Sequence, residues 1–198
     1  MTPGPLIILS GPSGGGKSTV VRRLLAEGGL PLRLSVSATT RPRRPKEQEG
    51  VDYFFWTRER FAEQVAAGAF LEWAEYAGNL YGTLRSEVDG YRARGLGVLL
   101  EIDVQGAEQV LHRRPDATVI LLLPPSDEVQ AQRLAARGDD EEHVRRRVEL
   151  GQAEVERGAK IAAHTVVNDD LERAITQLTA IVDGTRTAAP CAANPEEP

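Results

Sequence analysis

The stretch Leu6-Ile7-Ile8-Leu9-Ser10-Gly11-Pro12-Ser13-Gly14-Gly15-Gly16-Lys17-Ser18-Thr19 decides the fold. Its first four residues are apolar without alternation, the mark of a strand buried on both faces. From Gly11 to Ser18 the pattern G-x-x-x-x-G-K-[ST] is met without a mismatch. A helical pattern then runs from Lys17 to Glu27 and is closed by Gly28-Gly29. Strand, glycine-rich turn and helix together form a cradle for phosphate. The glycines let backbone N–H groups turn inward, and the helix adds the positive end of its dipole. Lys17 brings a mobile charge for the β- and γ-phosphates, and the Ser18 hydroxyl can ligate Mg²⁺. The motif implies a nucleoside triphosphate and leaves the phosphate acceptor open.

Three more apolar runs read as buried strands: Val98–Leu100, Val119–Leu123 and Thr165–Val167. Helical patterns separate them at Val104–Arg113, Ser126–Arg137, Glu141–Glu156 and Leu171–Val182. Strands alternating with helices predict an α/β fold with a parallel sheet. Ser37 to Tyr91 differs. It opens with the turns of Arg41-Pro42-Arg43-Arg44-Pro45 and holds Tyr53-Phe54-Phe55-Trp56, and it reads as an inserted lobe of short strands with one helix, Thr57–Ala67. The charged segment Asp139–Glu156 reads as a second flap. The last residues, from 185 to 198, are poor in bulky apolar side chains and are expected to be disordered.

Composition narrows the function classes. With 198 residues, 41% hydrophobic and 27% charged, the chain has an ordinary globular make-up. No apolar run approaches the roughly 20 residues that span a bilayer, and no signal peptide is visible. The single cysteine, Cys191, excludes an internal disulfide, so a cytoplasmic location is expected. A net charge of −5 argues against a general nucleic-acid binder. Yet 21 of the 24 basic residues are arginine, the exceptions being Lys17, Lys46 and Lys160. Arginine forks grip phosphate at two points, although coding bias yields the same excess.

Within the lobe, Arg41, Arg44, Tyr53 and Tyr81 are phosphate-capable donors, and Glu72 is an acid among large apolar neighbours in Phe70-Leu71-Glu72-Trp73. Glu101 and Asp103 close an apolar strand, as a metal-orienting acid does in phosphate-loop enzymes.

Several ordered blocks carry a resemblance: Gly11–Thr19, Ser35-Val36-Ser37-Ala38-Thr39-Thr40-Arg41-Pro42-Arg43, Asp52-Tyr53-Phe54-Phe55, Gly78-Asn79-Leu80-Tyr81-Gly82-Thr83, Glu101-Ile102-Asp103-Val104-Gln105-Gly106 and Val167-Asn168-Asp169-Asp170. From about Leu6 to Val182 the sequence resembles the guanylate kinases. The resemblance implies a P-loop NTPase-type parallel sheet flanked by helices, with an inserted GMP-binding lobe and a small helical lid. It implies a domain over 4–184, with core 4–36, 92–125 and 157–184, lobe 37–91 and lid 126–156. It also implies transfer of the γ-phosphoryl of ATP to GMP or dGMP, with Mg²⁺ as cofactor.

The roles it implies are specific. Gly11, Pro12, Ser13, Gly14, Gly15, Gly16, Lys17, Ser18 and Thr19 would bind ATP, and Asn168 matches an adenine-site residue. Ser37, Arg41, Arg44, Tyr53, Glu72, Tyr81 and Thr83 would bind GMP, the arginines and tyrosines through its phosphate. Glu72 would accept from guanine N1–H and the 2-amino group, and Asp103 would lie close to the base. Lys17, Arg41, Arg137 and Arg147 would act on the transferring phosphate, and Ser18 with Glu101 would hold the metal, directly or through water. Two departures are mild: Leu80 stands where a second aromatic is common, and Glu101 replaces an Asp found in many relatives.

Elementary chemistry agrees on the base. Guanine offers two adjacent donors to one carboxylate, whereas adenine presents a bare N1 acceptor there. Two other classes compete. An interaction module that has lost catalysis should lack Lys17 or its loop, and a kinase for a ribosyl phosphate would leave Glu72 and Thr83 without a task. A regulatory GTPase is disfavoured, since no Asn-Lys-x-Asp run is present.

Overall fold

A computed structural model describes residues 2–26, 31–76 and 78–187. Glu27, Gly28 and Gly29, the expected end of the first helix, lie outside the described residues, as do 188–198 with Cys191. The expected disorder begins too early in one respect: helix α7 (Leu171–Thr187) still includes 185–187.

Five parallel strands make the central sheet in the order β2-β7-β1-β8-β9. They are β1 (Leu6–Ser10), β2 (Leu32–Leu34), β7 (Gly97–Glu101), β8 (Thr118–Leu123) and β9 (His164–Val167). The four apolar runs all become strands, but Thr165–Val167 was expected to be buried and instead forms the edge strand β9, where Val166 alone is buried. β2, at the other edge, is a strand that the sequence reading missed. Every residue of β1 is buried because side chains leave both faces of the strand into a core. Ile7 and Leu9 join Val20, Val21 and Leu24 of α1 (Lys17–Ala26) and Ala174, Ile175 and Leu178 of α7. Leu6 and Ile8 point the other way, to Val88 of α3 (Arg85–Arg92) and Ala107 and Val110 of α4 (Val104–Arg113). Helix α3 is a correction, since one helix was expected between Ser37 and Tyr91 and two are present.

A second sheet has the order β4-β3-β6-β5, from β3 (Ser37–Thr39), β4 (Phe54–Phe55), β5 (Phe70–Tyr76) and β6 (Asn79–Leu84). Its own core joins Ala38, Phe70 and Leu84 to Phe61 of α2 (Arg58–Ala66). Phe61 stacks on Phe70 with ring centroids 4.5 Å apart. The β5–β6 register shifts between Phe70 and Glu72. Such a bulge re-aims side chains: Phe70 stays in the lobe core, while Leu71 enters the core of the central sheet. Finally, α5 (Asp127–Ala135), capped by the Ser126 hydroxyl, and α6 (Glu141–Ala159), capped by Asp140, pack against each other.

Candidate active site

One cavity of about 800 Å³ opens where the carboxyl ends of β1 and β7 face the second sheet. In open parallel sheets ligands bind beyond those ends.

The loop from Gly11 to Ser18 forms one wall. Gly11, Gly14 and Gly16 have φ of 136°, 84° and 94°, conformations that side-chain-bearing residues rarely adopt. The turn is closed by Gly15 N–H donating to Pro12 O at 3.1 Å. Lys17 Nζ folds over it, donating to Gly11 O at 2.5 Å and Pro12 O at 3.1 Å. Burial pushes the Lys17 ammonium below its usual range, against the opposing pull of Glu101, Glu154 and Asp103. The Ser18 hydroxyl donates to Glu101 Oε1 at 2.5 Å, which sets two oxygen donors side by side. Thr19 lines the cavity one residue further on.

Three side chains outside the motif brace this loop. Gln130 of α5 donates to Ser13 O at 2.8 Å, and Arg133 donates to Asn168 O at 2.8 Å and to Gly15 O at 3.4 Å. Buried Asn168 donates through Nδ2 to Gly15 O at 2.9 Å, so it underpins the loop rather than lining the cavity.

The second sheet supplies the opposite wall. Its register pairs Ser37 with Thr83 and Thr83 with Glu72, a row across three strands. Thr83 is fully buried and donates to Glu72 Oε1 at 2.7 Å. Burial raises the Glu72 carboxyl to about 7, with Asp103 pushing the same way and Thr83 and Arg113 opposing. Asp103 caps α4 by accepting from Gly106 N–H at 2.7 Å, and lines the cavity. Arg44, Tyr53 and Tyr81 line it beyond the row. Tyr53 and Tyr81 meet edge to face with centroids 6.1 Å apart, and burial raises the Tyr53 phenol. Arg41 sits back from the cavity. It donates to Glu47 Oε1 at 2.7 Å, while Glu47 Oε2 accepts from Arg44 N–H at 2.8 Å. Glu47 thereby organises the turn that carries both arginines.

From the third side come Arg137, just past α5, and Arg147 of α6, both lining the cavity. Arg147 donates to Asp139 Oδ2 at 3.1 Å and to the Tyr76 hydroxyl at 3.0 Å, so the guanidinium spans from α6 to β5. Glu154 of α6 also lines the cavity; burial raises its carboxyl and Lys17 opposes the rise.

The guanylate kinase family model matches residues 4–185. The chain belongs to the guanylate kinase family. A guanylate kinase of Symbiobacterium thermophilum is 47% identical over 181 residues, 90% of this chain and 84% of that protein. One of Anaeromyxobacter dehalogenans is 50% identical over 182 residues, 91% and 80% of the two chains. The crystal structure of guanylate kinase from Anaplasma phagocytophilum superposes with a TM-score of 0.76 at 30% identity, covering 94% of this chain and 88% of that one. The chain is thus an enzyme of the nucleotide-kinase type with the P-loop α/β fold.

Sequence reasoning missed several residues of this kinase. Glu47, Gln130, Arg133, Tyr76 and Glu154 all touch or line the site. The one available signal was Gln130, a polar residue one turn before Leu134 on the face that α5 buries. Among the described residues no helix is long and apolar enough to cross a membrane. His112, His143 and His164 are all exposed and away from the cavity.

Proposed function

We propose that this guanylate kinase moves the γ-phosphoryl group of ATP to GMP, giving ADP and GDP, as a cytoplasmic step of purine nucleotide metabolism. The observation that carries the reading is the buried Glu72 carboxylate, which accepts from Thr83 and lines the same cavity as Lys17 and Ser18. One wall suits a triphosphate, and the other suits a base with two adjacent donors. Residues 37–91 then act as the acceptor lobe and 126–156 as the lid.

An oxygen of the GMP phosphate attacks Pγ as the bond from Pγ to the β–γ bridging oxygen breaks, and ADP leaves. A phosphate monoester has its second pKa near 6, so at neutral pH it needs little help from a general base. Lys17, Arg137 and Arg147 offset the charge that builds on the transferring group, and Arg44, Tyr53 and Tyr81 hold the acceptor phosphate. Arg41 joins them when ligand phosphate competes with Glu47 for its fork. Asn168 supports the ATP side through the loop it braces.

Ser18 and Glu101 suit Mg²⁺, which takes oxygen ligands and commonly binds through one or two protein groups plus substrate phosphates. Bound there, Mg²⁺ would neutralise charge on the β- and γ-phosphates.

The test is a panel of acceptors in a coupled ADP assay, with Mg²⁺ and with EDTA. GMP should be turned over far faster than AMP, CMP or UMP, and EDTA should abolish turnover. AMP turned over as well as GMP would overturn the reading.

A further inference from the structure

The backbone on both sides of Glu72 is gripped from outside the lobe. Arg113 of α4 donates through Nη1 to Leu71 O at 2.5 Å. Gln109, one turn earlier, donates to Trp73 O at 3.1 Å and accepts from Trp73 N–H at 3.4 Å. β5 is the edge strand of its sheet. The two α4 side chains therefore stand in for a missing neighbouring strand over residues 71–73. Leu71 itself is fully buried in the core of the central sheet, beside Ala107 and Val110 of that helix. The first turn of α4 also abuts the carboxylate: a Cβ on Gly106 would lie 2.9 Å from Glu72 Oε2.

We propose that Gln109 and Arg113 are positioning residues for guanine recognition, fixing the Glu72 carboxylate to the body of the protein at the distance its two-point contact with the base requires. The proposal deepens the assignment of Glu72 as guanine acceptor and rests on it. Two parallel hydrogen bonds tolerate little misplacement, because both weaken steeply with distance and angle. A free edge strand would let the carboxylate drift, whereas side-chain bonds at 71 and 73 bracket it. Arg113 has a second effect through its charge, which favours the ionised carboxylate against burial and Asp103. Asp103 at the cap of α4, Arg113 on that helix and Thr83 on β6 are the groups that act on Glu72.

Arg113→Met and Gln109→Leu remove these bonds at positions that are exposed and half-buried, and Arg113→Lys restores a donor and a charge. Steady-state kinetics with GMP, with inosine monophosphate (which keeps N1–H and lacks the 2-amino group) and with ATP read the effect, with circular dichroism reporting the fold. Each removal should raise KM for GMP by roughly three- to tenfold, the worth of one or two misplaced hydrogen bonds. KM for ATP and kcat should stay within about twofold, and the preference for GMP over inosine monophosphate should shrink, since the second bond is the first to fail. Arg113→Lys should recover most of the loss. Arg113→Met should also move the acid limb of the GMP profile to higher pH, and Gln109→Leu should not. Folded variants with unchanged KM for GMP and an unchanged preference would overturn the positioning role. Should Arg113→Met fail to fold, Gln109→Leu alone decides by the same criteria. A wild-type enzyme without preference for GMP over AMP would instead overturn the reading of Glu72 itself.

Discussion

Thr83 Oγ1 lies 2.7 Å from Glu72 Oε1, and both residues are buried where β5 and β6 pair. The threonine fills one acceptor site on one oxygen and leaves the carboxylate free to receive donors from the cavity. A buried carboxylate is costly unless its partners arrive with the ligand.

Glu72→Gln keeps the shape and replaces one acceptor with a donor that faces guanine's own donors. Sites that read a group by hydrogen bonding discriminate by up to about 10⁴-fold. The kcat/KM for GMP should therefore fall by roughly 10²- to 10⁴-fold, while that for AMP should hold or rise. The GMP/AMP ratio of kcat/KM checks this, and a folded variant within a few-fold of wild type would contradict it.

Acidity should act on the same group. Glu72 must be ionised to accept from guanine, and burial holds its pKa at about 7 in the free protein. Affinity for GMP should then weaken as pH drops below 7, faster than the phosphate's own titration explains. Stability carries the opposite sign. A carboxyl whose folded pKa is raised stabilises fully below its unfolded value and loses that contribution as pH rises through the folded one. Without GMP, the stability of wild type relative to Glu72→Gln should decline between about pH 4.5 and 7. Calorimetric titrations and melting curves across that range are the measurements.

Lys17→Met should cut kcat by roughly 10³-fold or more, because a charge that meets the transferring group acts mainly in the transition state. GMP binding should survive, since the Thr83–Glu72 pair belongs to the other wall. Isothermal titration with GMP separates the two effects, and loss of GMP affinity along with turnover would contradict the division of the cavity.

Gly16→Ala tests the brace under the loop. A Cβ there would sit 2.2 Å from Asn168 Nδ2 at a φ of 94°, so both the backbone and the amide must shift. Strain of this kind costs about 1–3 kcal/mol. The variant should melt lower and show a higher KM for ATP, with KM for GMP little changed.

The central sheet was legible in the sequence because its inner strands are continuous apolar runs such as Leu6–Leu9 and Val119–Leu123. Leu32-Arg33-Leu34 was not, since three residues at a sheet edge carry too little pattern. Helix α3 escaped because Gly90 interrupts it and Val88 is its only buried apolar residue; packing against the central sheet holds it. The phosphate loop declared itself through spacing alone. The residues proposed for the acceptor came by resemblance, and the register that lines up Ser37, Thr83 and Glu72 has no local signature. Contacts such as Glu47 to Arg41, or Gln109 to Trp73, join charges and amides to partners that only the folded chain brings close.

The burial of Leu71 in the central core has a mechanical consequence. It makes β5 a fulcrum for the acceptor lobe. Any rotation of the second sheet about that seam would move residues near it least, and would move β4 and the Arg41–Arg44 turn, at the far side of the sheet, most. The proposed base reader, Glu72, sits at the hub, and the proposed phosphate holders, Arg41 and Arg44, sit at the rim. On the roles proposed above, the base reader therefore stands on the strand tied to the body of the protein, and the phosphate-holding arginines stand in the turn that leads to the strand farthest from it.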